Sequence, residues 1–484
     1  VPGNHLMAGL GVPDSAEDAL EYCRPYGSGK DSTLVEKFVK VSPEMARFVE
    51  ESSPIIWKAM SSPDSFAERP GGRDSGRHIE VSPLAAGKLA PLEEDFWLSN
   101  YPAIFTNDEV FDQRLLIGGE IPEKLAEERI RFGMVCTGIG LIVGLMQGCL
   151  DQGVKFERNV RAVRLLNSQD KGISGVVVER GDLEEEIYCN RGVVLATGGF
   201  EWNEKMRANL SGGHMTHAVS PPLHQGDGLR MVADVGGQLA NTDDSWMWPV
   251  IGSSGEVWPS TQRARNDLML AERFMPHAIW VNRTGNRFVN ESSHNCALAL
   301  AETDPDTGAI SNLPAWVIFD YQYRSRYPLA GSMPHEKLPA QVVEATSLSE
   351  LAIKTGINES GLLRTVDRFN DFVDQGRDSD YFRGQSAYDR HYGDPTSELP
   401  NLGRIERSPF FSLPVYLGTV GTKGGARIDE RARVLDTEDQ AIPGLWAAGN
   451  AMASIIGSST IAPGLTIGLA LTWGFIAGEE ASSN

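Results

Sequence analysis

The stretch Gly444–Gly468 (GLWAAGNAMASIIGSSTIAPGLTIG) decides the fold, because it joins a buried strand to the start of a helix. The strand ends at Gly449, and Pro463 predicts that a glycine-punctuated helix begins immediately afterwards. The first N–H groups of such a helix are free to bind a negatively charged ligand group, although an ordinary packing helix begun by proline explains the same residues. These N–H groups belong to Leu465, Thr466 and Ile467.

A second stretch, Val193–Phe200 (VVLATGGF), is an apolar strand that runs into Thr-Gly-Gly. Two consecutive glycines at the carboxyl end of a strand let a ligand approach the backbone, at the edge where α/β sheets bind cofactors. A tight structural turn explains the same residues equally well. The candidate ligand-binding residues are Ala196, Thr197, Gly198 and Gly199.

The rest of the pattern divides the chain into two predicted domains. Amphipathic helical pieces and loops fill the first 130 residues without an evident sheet, and short β-rich runs begin at Val154. Residues 252–420 mix short strands with an acidic helical segment. We therefore expect an α/β fold in which residues 1–251 and 421–484 form a Rossmann-like nucleotide-binding domain, with an inserted α+β catalytic domain at 252–420.

Composition excludes several classes of function. The 484 residues are 41% hydrophobic, and 44 basic against 65 acidic residues give a net charge of −21. This charge repels phosphate backbones and anionic lipid, so nucleic acid is not an expected partner. The five cysteines are scattered and never spaced CxxC, which argues against a disulfide framework or a metal site and favours a reducing compartment, the cytoplasm.

One segment, Phe132–Leu150, carries no charge and has about the length of a membrane span. Its five glycines, with a threonine and a glutamine, favour a helix packed closely inside an α/β domain. We therefore expect a buried helix here and no transmembrane segment.

Other stretches match a known family in the order in which they occur. They are VPGNHLMAGLGVPDSAEDAL, PGGRDSGRHIE, VNRTGNRFVNE, PAWVIFD, TVDRFNDFVDQGRDSDYFRG and IPGLWAAGNAMAS, supported by QGDGLRM and GTKGG. Over essentially its whole length the chain resembles the FAD-dependent superfamily of fumarate reductases and 3-ketosteroid dehydrogenases. The ketosteroid branch looks closer.

The resemblance implies FAD as the cofactor and hydride transfer between a substrate carbon and flavin N5, at a CH–CH bond next to a ketone. Free amides at the start of the final helix would then stabilise negative charge on the N1–C2=O edge of the reduced flavin. No nicotinamide fingerprint is visible, so quinones, cytochromes or a diffusible acceptor are open as electron partners. Beyond the two stretches above, the implied cofactor-binding residues are Asn4, His5, Val160, Gly424, Gly425, Gly449 and Asn450.

Members of this superfamily begin with a strand and a GxGxxG turn on the diphosphate, ahead of a segment like Val1–Met7. The nearest candidate, Gly9–Asp14, lacks a preceding strand and contains Pro13. We therefore expect the turn upstream of Val1, within a segment of roughly 40 to 50 residues that precedes Val1, on the usual size of a βαβ unit. An alternative of another class is a truncated, non-catalytic chain without FAD.

Two sets of positions bear on the substrate. Fumarate reductases place an arginine acid after their FVNE segment, a histidine ahead of a glycine pair and a second arginine before the final helix. Those places hold His294-Asn295, Gly421 and Ile461 here. A dicarboxylate would leave buried charges unpaired, at a cost of several kcal/mol each, so a small unsaturated acid is the alternative rather than the leading substrate class.

Ketosteroid dehydrogenases use tyrosines as base and electrophile, together with a backbone amide at the final helix. The resemblance places the amide at Gly464, but Thr460 replaces one tyrosine and His294 or Asn295 another. A third falls near Ser65 and Phe66. The expected substrate is an apolar alicyclic ketone, similar to a 3-ketosteroid, and we assign proton transfer to His294, against a structural role as the alternative.

Aromatic residues outside these motifs have two interpretations. Trp246 and Trp248 could line an apolar cavity, although packing of a strand face is the commoner role of such a pair. Tyr321, Tyr323 and Tyr327 alternate with arginines, which favours a solvated helix over a role at a ligand.

Overall fold

A computed structural model describes residues 1–484 except 28–31, 90–95, 97–102, 169–171, 211–214, 254, 259–260 and 484. Its strands are β1 Trp57–Ala59, β2 Ile79–Val81, β3 Leu84–Ala85, β4 Met134–Val135, β5 Arg161–Ser168, β6 Gly172–Arg180, β7 Leu183–Tyr188, β8 Val193–Leu195, β9 His217–Ala218, β10 Leu239–Ala240, β11 Ser245–Ile251, β12 Asp267–Leu268, β13 Ala278–Asn282, β14 Ala315–Asp320, β15 Val343–Ala345, β16 Phe410–Thr422, β17 Gly425–Ala426, β18 Arg433–Leu435 and β19 Ala441–Ala447.

Helices connect and cover these strands. They are α1 Ala16–Cys23, α2 Ser32–Ser52, α3 Asn107–Asp112, α4 Glu123–Arg131, α5 Thr137–Asp151, α6 Glu204–Leu210, α7 Asp227–Asp234, α8 Ala271–Phe274, α9 Cys296–Leu300, α10 Tyr321–Arg324, α11 Leu348–Thr355, α12 Glu359–Asp374, α13 Ala387–Tyr392 and α14 Leu465–Ser483.

A parallel pair of strands forms the centre of the predicted nucleotide-binding part. Strand β19 pairs parallel with β8 and antiparallel with β18. Helix α14, which follows β19, packs on both parallel strands and buries Trp473 completely against the apolar core there. The predicted order of strand, glycine turn and helix is therefore present, and it brings the carboxyl ends of β8 and β19 to one edge of the sheet.

The largest sheet is organised around β16. The first half of this strand pairs with β14 and β15, whereas its second half pairs with β11 and β9. One face of the sheet packs on α11 and α12 through residues such as Val366 and Phe369. The other face carries a second apolar core that includes Phe274 and Tyr388.

The predicted domain boundaries fall inside this sheet. Strands β9 and β11 precede residue 252 yet pair with β16, which itself continues past residue 420. The division into 1–251 with 421–484 and 252–420 stays a prediction.

Helix α5 begins at Thr137, five residues later than the start of the predicted segment. An added Cβ at Gly144 would lie 2.4 Å from the Ile55 side chain, and one at Gly148 would lie 2.6 Å from the Ser52 carbonyl oxygen. Glycine is required at both positions because neighbouring atoms leave no room for a side chain. Throughout the described part of the chain, no helix combines the length and the apolar character needed to cross a bilayer.

The expectation that the first 130 residues contain no sheet is wrong in detail. Strand β1 pairs with β2, and β3 pairs with β4, each over two or three residues. Ladders this short leave almost no periodic pattern in the sequence, because alternation needs at least four residues to become visible.

Candidate active site

The structure encloses a cavity of about 540 Å³ beside the start of α14. This volume lies within the usual range for small-molecule sites. Its wall is mostly apolar and aromatic, with contributions from the large sheet, from α13 and from the N-terminal helices. Lining aromatic residues include Trp57, Trp246, Trp248, Phe274, Tyr388 and Tyr392.

The start of α14 forms one side of the cavity. Gly464 and Gly468 line it, and no described atom lies within 4 Å of a Cβ added at either residue. The Leu465 amide donates to the Ala462 carbonyl at 3.3 Å, so the prediction of three free amides is wrong for this residue. Among the residues with described positions, the Thr466 and Ile467 amides have no backbone acceptor, so these two can face a ligand.

The two glycine-bearing strand ends lie side by side. The Ala448 amide donates to the Leu195 carbonyl at 2.9 Å, which joins the loop Ala196–Gly199 to the turn that holds Gly449 and Asn450. An added Cβ at Gly199 would lie 2.0 Å from the Thr422 hydroxyl. Packing against Thr422 therefore requires glycine at position 199 whether or not a ligand binds. This supports the interpretation of Gly199 as part of a tight structural turn.

Other predicted cofactor-binding residues have protein partners. An added Cβ at Gly425 would lie 2.4 Å from the Met452 backbone, and one at Gly424 would lie 2.5 Å from Thr242. Asn450 lines a small recess with Lys423, whose buried ammonium donates to the Ser458 carbonyl at 2.9 Å. Burial lowers the pKa of Lys423 to about 8.

The remaining candidates for cofactor binding, Asn4, His5 and Val160, do not line the cavity. The Asn4 amide donates to the Val1 and Gly76 carbonyls, both at 2.8 Å, and His5 Nε2 lies 3.0 Å from a Glu50 carboxylate oxygen. Val160 immediately precedes β5. Their assignment to the cofactor stays a prediction.

His294 is buried and lines the cavity. Its Nδ1 lies 2.5 Å from the Ser65 hydroxyl, its ring stacks on Tyr388 at 5.2 Å between centroids, and Trp248 meets it edge-on at 5.3 Å. Burial, and next the Arg273 guanidinium, hold the pKa of His294 well below its ordinary value. The imidazole is therefore neutral near pH 7. If Nδ1 carries the proton and donates it to Ser65, then Nε2 is a proton acceptor.

Tyr388 is a site residue that sequence analysis missed. It lies on α13, within a stretch that has the composition of a polar loop, and its buried hydroxyl accepts a hydrogen bond from Arg273 Nη2 at 3.2 Å. Burial raises the pKa of Tyr388 well above its ordinary value. Tyr388, His391 and Tyr392 are spaced i, i+3 and i+4, and this periodicity could have identified one helix face.

Arg273 is fully buried, and no carboxylate in the described ranges lies within the 4.0 Å of an ion pair. Its guanidinium lies 4.6 Å from the Trp248 ring centroid and 4.3 Å from that of Phe274. An unneutralised cation behind Tyr388 and His294 favours negative charge in this part of the site.

The Asn295 side chain forms hydrogen bonds with backbone groups and does not line the cavity. Its Oδ1 accepts from the Thr460 amide at 2.7 Å, and its Nδ2 donates to the Thr460 carbonyl at 3.0 Å. Thr460 itself lines the cavity together with Gly464 and His294. Three of the four predicted catalytic residues thus meet at one cavity, and Asn295 positions the segment that carries two of them.

The paired tryptophans and the three tyrosines differ from expectation. Trp246 and Trp248 line the cavity, although strand packing was the favoured role, and Trp246 is also buried in the core. Tyr323 is fully buried and Tyr327 nearly so, hence the solvated helix is wrong for both, while Tyr321 is exposed.

Gly138, Gly464 and Gly468 all line the cavity, and no contact from a described residue lies within 4 Å of a Cβ added at any of them, which makes room for a flat ring against the backbone. With the amides of α14 beside them, these residues fit the isoalloxazine of a flavin, and the class of protein is a flavin-dependent oxidoreductase. The chain belongs to the FAD binding domain family, whose model matches residues 1–466. It uses FAD and is an FAD-dependent oxidoreductase of the CH–CH class.

Two relatives with known activities are each 34% identical to this chain. One is the 4-oxocyclohexanecarboxylate 2-dehydrogenase of Sinomonas cyclohexanicum, over 99% of this chain and 84% of the relative. The other is a 3-oxosteroid 1-dehydrogenase of Mycolicibacterium smegmatis, over 100% of this chain and 89% of the relative.

Among solved structures, a 3-ketosteroid delta1-dehydrogenase from Sterolibacterium denitrificans, in complex with 1,4-androstadiene-3,17-dione, superposes with a TM-score of 0.88. It is 27% identical and the match covers 100% of this chain and 91% of that structure. The predicted superfamily, fold class and cofactor are confirmed.

Proposed function

We propose that this protein dehydrogenates a ring CH–CH bond next to the ketone of an apolar alicyclic compound, similar to a 3-ketosteroid or a smaller cyclohexanone. The observation that carries the proposal is one apolar cavity lined both by the imidazole of His294 and by the helix start at Gly464. Such a cavity accepts a flat hydrocarbon ring, and these two polar groups match a ketone oxygen and a proton on the neighbouring carbon.

In this mechanism the Gly464 amide donates a hydrogen bond to the ketone oxygen. This bond strengthens as negative charge develops there, which makes the hydrogens on the neighbouring carbon more acidic. His294 Nε2 takes one of those hydrogens as a proton while Ser65 holds Nδ1. FAD supplies the acceptor for the hydride that leaves the next carbon. A carbon–carbon double bond forms as the two C–H bonds break.

The low pKa of His294 suits a group that must be neutral before the reaction. Tyr388 stacks on the imidazole, and its hydroxyl has a pKa raised by burial, so it stays protonated throughout. The buried Arg273 disfavours the imidazolium that His294 becomes when it takes the proton.

The alternative substrate, a small unsaturated dicarboxylic acid, is less well supported. Gly421 and Ile461, at the places of the expected cationic residues, are both buried and carry no charge. Arg77 lines the cavity, but Asp14 and Asp64 neutralise its guanidinium at 2.6 and 2.9 Å.

The test uses FAD-loaded protein under anaerobic conditions, with flavin absorbance followed after addition of 3-ketosteroids or substituted cyclohexanones. We expect bleaching with at least one of these ketones, and a loss of about 100-fold or more in its rate for His294→Ala, the usual effect of removing a general base. His335→Ala is the matched control, because His335 is exposed. Absence of bleaching across the panel refutes the proposal, and an unchanged rate in His294→Ala refutes the role of His294.

We also propose a cytoplasmic location. All five cysteines are unpaired, and Cys23, Cys136 and Cys296 are buried, as befits a reducing compartment. Fractionation of the cells of origin tests this proposal, and recovery of the protein outside the cytoplasmic fraction would contradict it.

A further inference from the structure

A second polar region of the cavity wall is centred on Arg114, which follows α3. The sequence patterns did not identify this residue. Arg114 lines the cavity and is half-buried. Its backbone is left-handed, with φ of 55°, a region that residues other than glycine seldom occupy. Such a conformation persists only where neighbouring structure enforces it, and it is typical of functional sites.

The surrounding loop enforces this conformation. The Arg114 amide donates to the Phe111 carbonyl at 3.0 Å, and the Arg114 carbonyl accepts from Ile117 and Gly119, both at 2.9 Å. An added Cβ at Gly119 would lie 1.9 Å from the Gln113 carbonyl oxygen, so only glycine closes the loop. The backbone geometry therefore belongs to this loop and does not depend on any bond made by the arginine side chain.

The charge of Arg114 is not neutralised by the part of the chain that the structure describes, since no carboxylate there lies within 4.0 Å of its guanidinium. Its charged neighbours in the wall do have partners. Glu80 accepts from the amides of Asn107 and Asp108, and the Lys58 ammonium lies 3.9 Å from the Glu80 carboxylate and 3.4 Å from that of Asp108. Lys58, Glu80 and Asp108 together carry one negative charge, so Arg114 brings the sum for this cluster to zero, and among the described residues Arg114 is its one member without an ion-pair partner.

His391 supplies a second group. Its ring contacts that of Phe111 at 5.9 Å between centroids, and Phe111 also accepts the backbone bond from Arg114. His391 Nε2 is buried, and among the described atoms it has no hydrogen-bond partner. Burial lowers the pKa of His391, so the ring is neutral at pH 7 and can donate one N–H.

We propose that Arg114 and His391 bind a carboxylate carried by the ketone substrate. The guanidinium fork matches the two oxygens of a carboxylate, and Arg114, which forms no ion pair with a described residue, can form one with the ligand. A phosphate monoester, with close to two charges, would be left partly unpaired. This carboxylate subsite extends the proposed function, and the ketone part of the ligand rests on that function. The carboxylate belongs either to a small ring acid or to a steroid side chain.

The first measurement needs no turnover. Calorimetry on FAD-loaded protein compares cyclohexanecarboxylate with cyclohexanecarboxamide, which have the same ring and differ in charge. We expect Arg114→Gln to weaken binding of the acid about tenfold and binding of the amide less than twofold, and Arg114→Lys to weaken acid binding by less than Arg114→Gln. Arg131→Gln, at the exposed last residue of α4, is the matched control and should leave both unchanged.

The second measurement identifies the source of the carboxylate. Steady-state KM is compared for 4-oxocyclohexanecarboxylate and its methyl ester, and for a 3-ketosteroid with and without a side-chain carboxylate. We expect Arg114→Gln to raise KM about tenfold for the acid of one pair at unchanged kcat, and that pair names the substrate class.

The two proposals fail in different ways. If acid and amide lose affinity equally in Arg114→Gln, or neither changes, the carboxylate subsite is refuted while ketone oxidation can stand. If the wild-type protein oxidises no ketone yet binds the acid through Arg114, the ketone proposal is refuted and the subsite stands.

Discussion

The Asn295 side chain forms hydrogen bonds with both the backbone amide and the backbone carbonyl of Thr460. Replacing Asn295 should therefore selectively destabilise the segment that carries Thr460 and Gly464. In Asn295→Leu the Thr460 amide and carbonyl lose their bonds of 2.7 and 3.0 Å. Each bond contributes about 1 kcal/mol net, so the loss is about 2 kcal/mol, equal to about 30-fold in the local opening equilibrium. The Thr460 amide should therefore exchange about 30 times faster.

A second asparagine in the chain provides the control. Asn370 Oδ1 accepts from the Ile405 amide at 2.8 Å, and its Nδ2 donates to the Ile405 carbonyl at 3.1 Å. This pair has the same bonding pattern but lies on α12, away from the cavity wall. Asn370→Leu should accelerate exchange at Ile405 by a similar factor and leave Thr460 unaffected.

Hydrogen exchange followed by mass spectrometry on peptides spanning residues 455–466 and 400–408 measures both effects. Flavin reduction by the best ketone should slow about tenfold in Asn295→Leu, because Gly464 is only four residues beyond Thr460, and should stay unchanged in Asn370→Leu. An unchanged rate of hydrogen exchange at the Thr460 amide would show that the Asn295 side chain does not hold this residue in place. Equal loss of activity in the two variants would refute its specific link to catalysis.

Two further predictions concern the buried histidines. Ser65→Ala removes the 2.5 Å partner of His294 Nδ1, so flavin reduction should slow about tenfold, with recovery in Ser65→Thr; equal rates in all three proteins would show that Ser65 does not orient the imidazole. Burial lowers the pKa of His78 to about 3, so the unfolded chain binds a proton below pH 6.5 that the folded protein excludes. Stability should therefore fall as pH drops from 6.5 towards 3, by about 2 kcal/mol at pH 5 from this residue. Denaturant unfolding of the wild type and His78→Gln at pH 7.5 and 5 measures this difference, and equal pH slopes would contradict it.

Local pattern was sufficient wherever one continuous segment builds the feature. Strand β19, the turn at Gly449 and helix α14 lie within about 40 consecutive residues, so composition and spacing alone predicted them. The sequence predicted a glycine-bearing end for β8 and for β19 separately, whereas their parallel pairing was shown only by the structure, because contacts between distant segments leave no local pattern. The assignments of individual cofactor-binding residues stay predictions.

The contacts inside the cavity could not be predicted in the same way. Ser65 and His294 are 229 residues apart in sequence, and Asn295 and Thr460 are 165 apart. No local pattern records which distant hydroxyl or amide will meet which side chain. Tyr388 was overlooked because its stretch is rich in charged residues, whose burial depends on partners far along the chain.

The sequence by itself determined the superfamily, the FAD cofactor and the chemistry at a CH–CH bond through its resemblance to a known family, because the stretches that carry this resemblance can be recognised one by one along the chain. Only the tertiary structure decided which groups surround the substrate cavity. It turned Asn295 into a support for Thr460, placed a buried cation behind His294 and left Arg114 without a carboxylate partner among the described residues. Electrostatic effects of this kind depend on distance and burial in three dimensions, and the order of residues along the chain specifies neither directly.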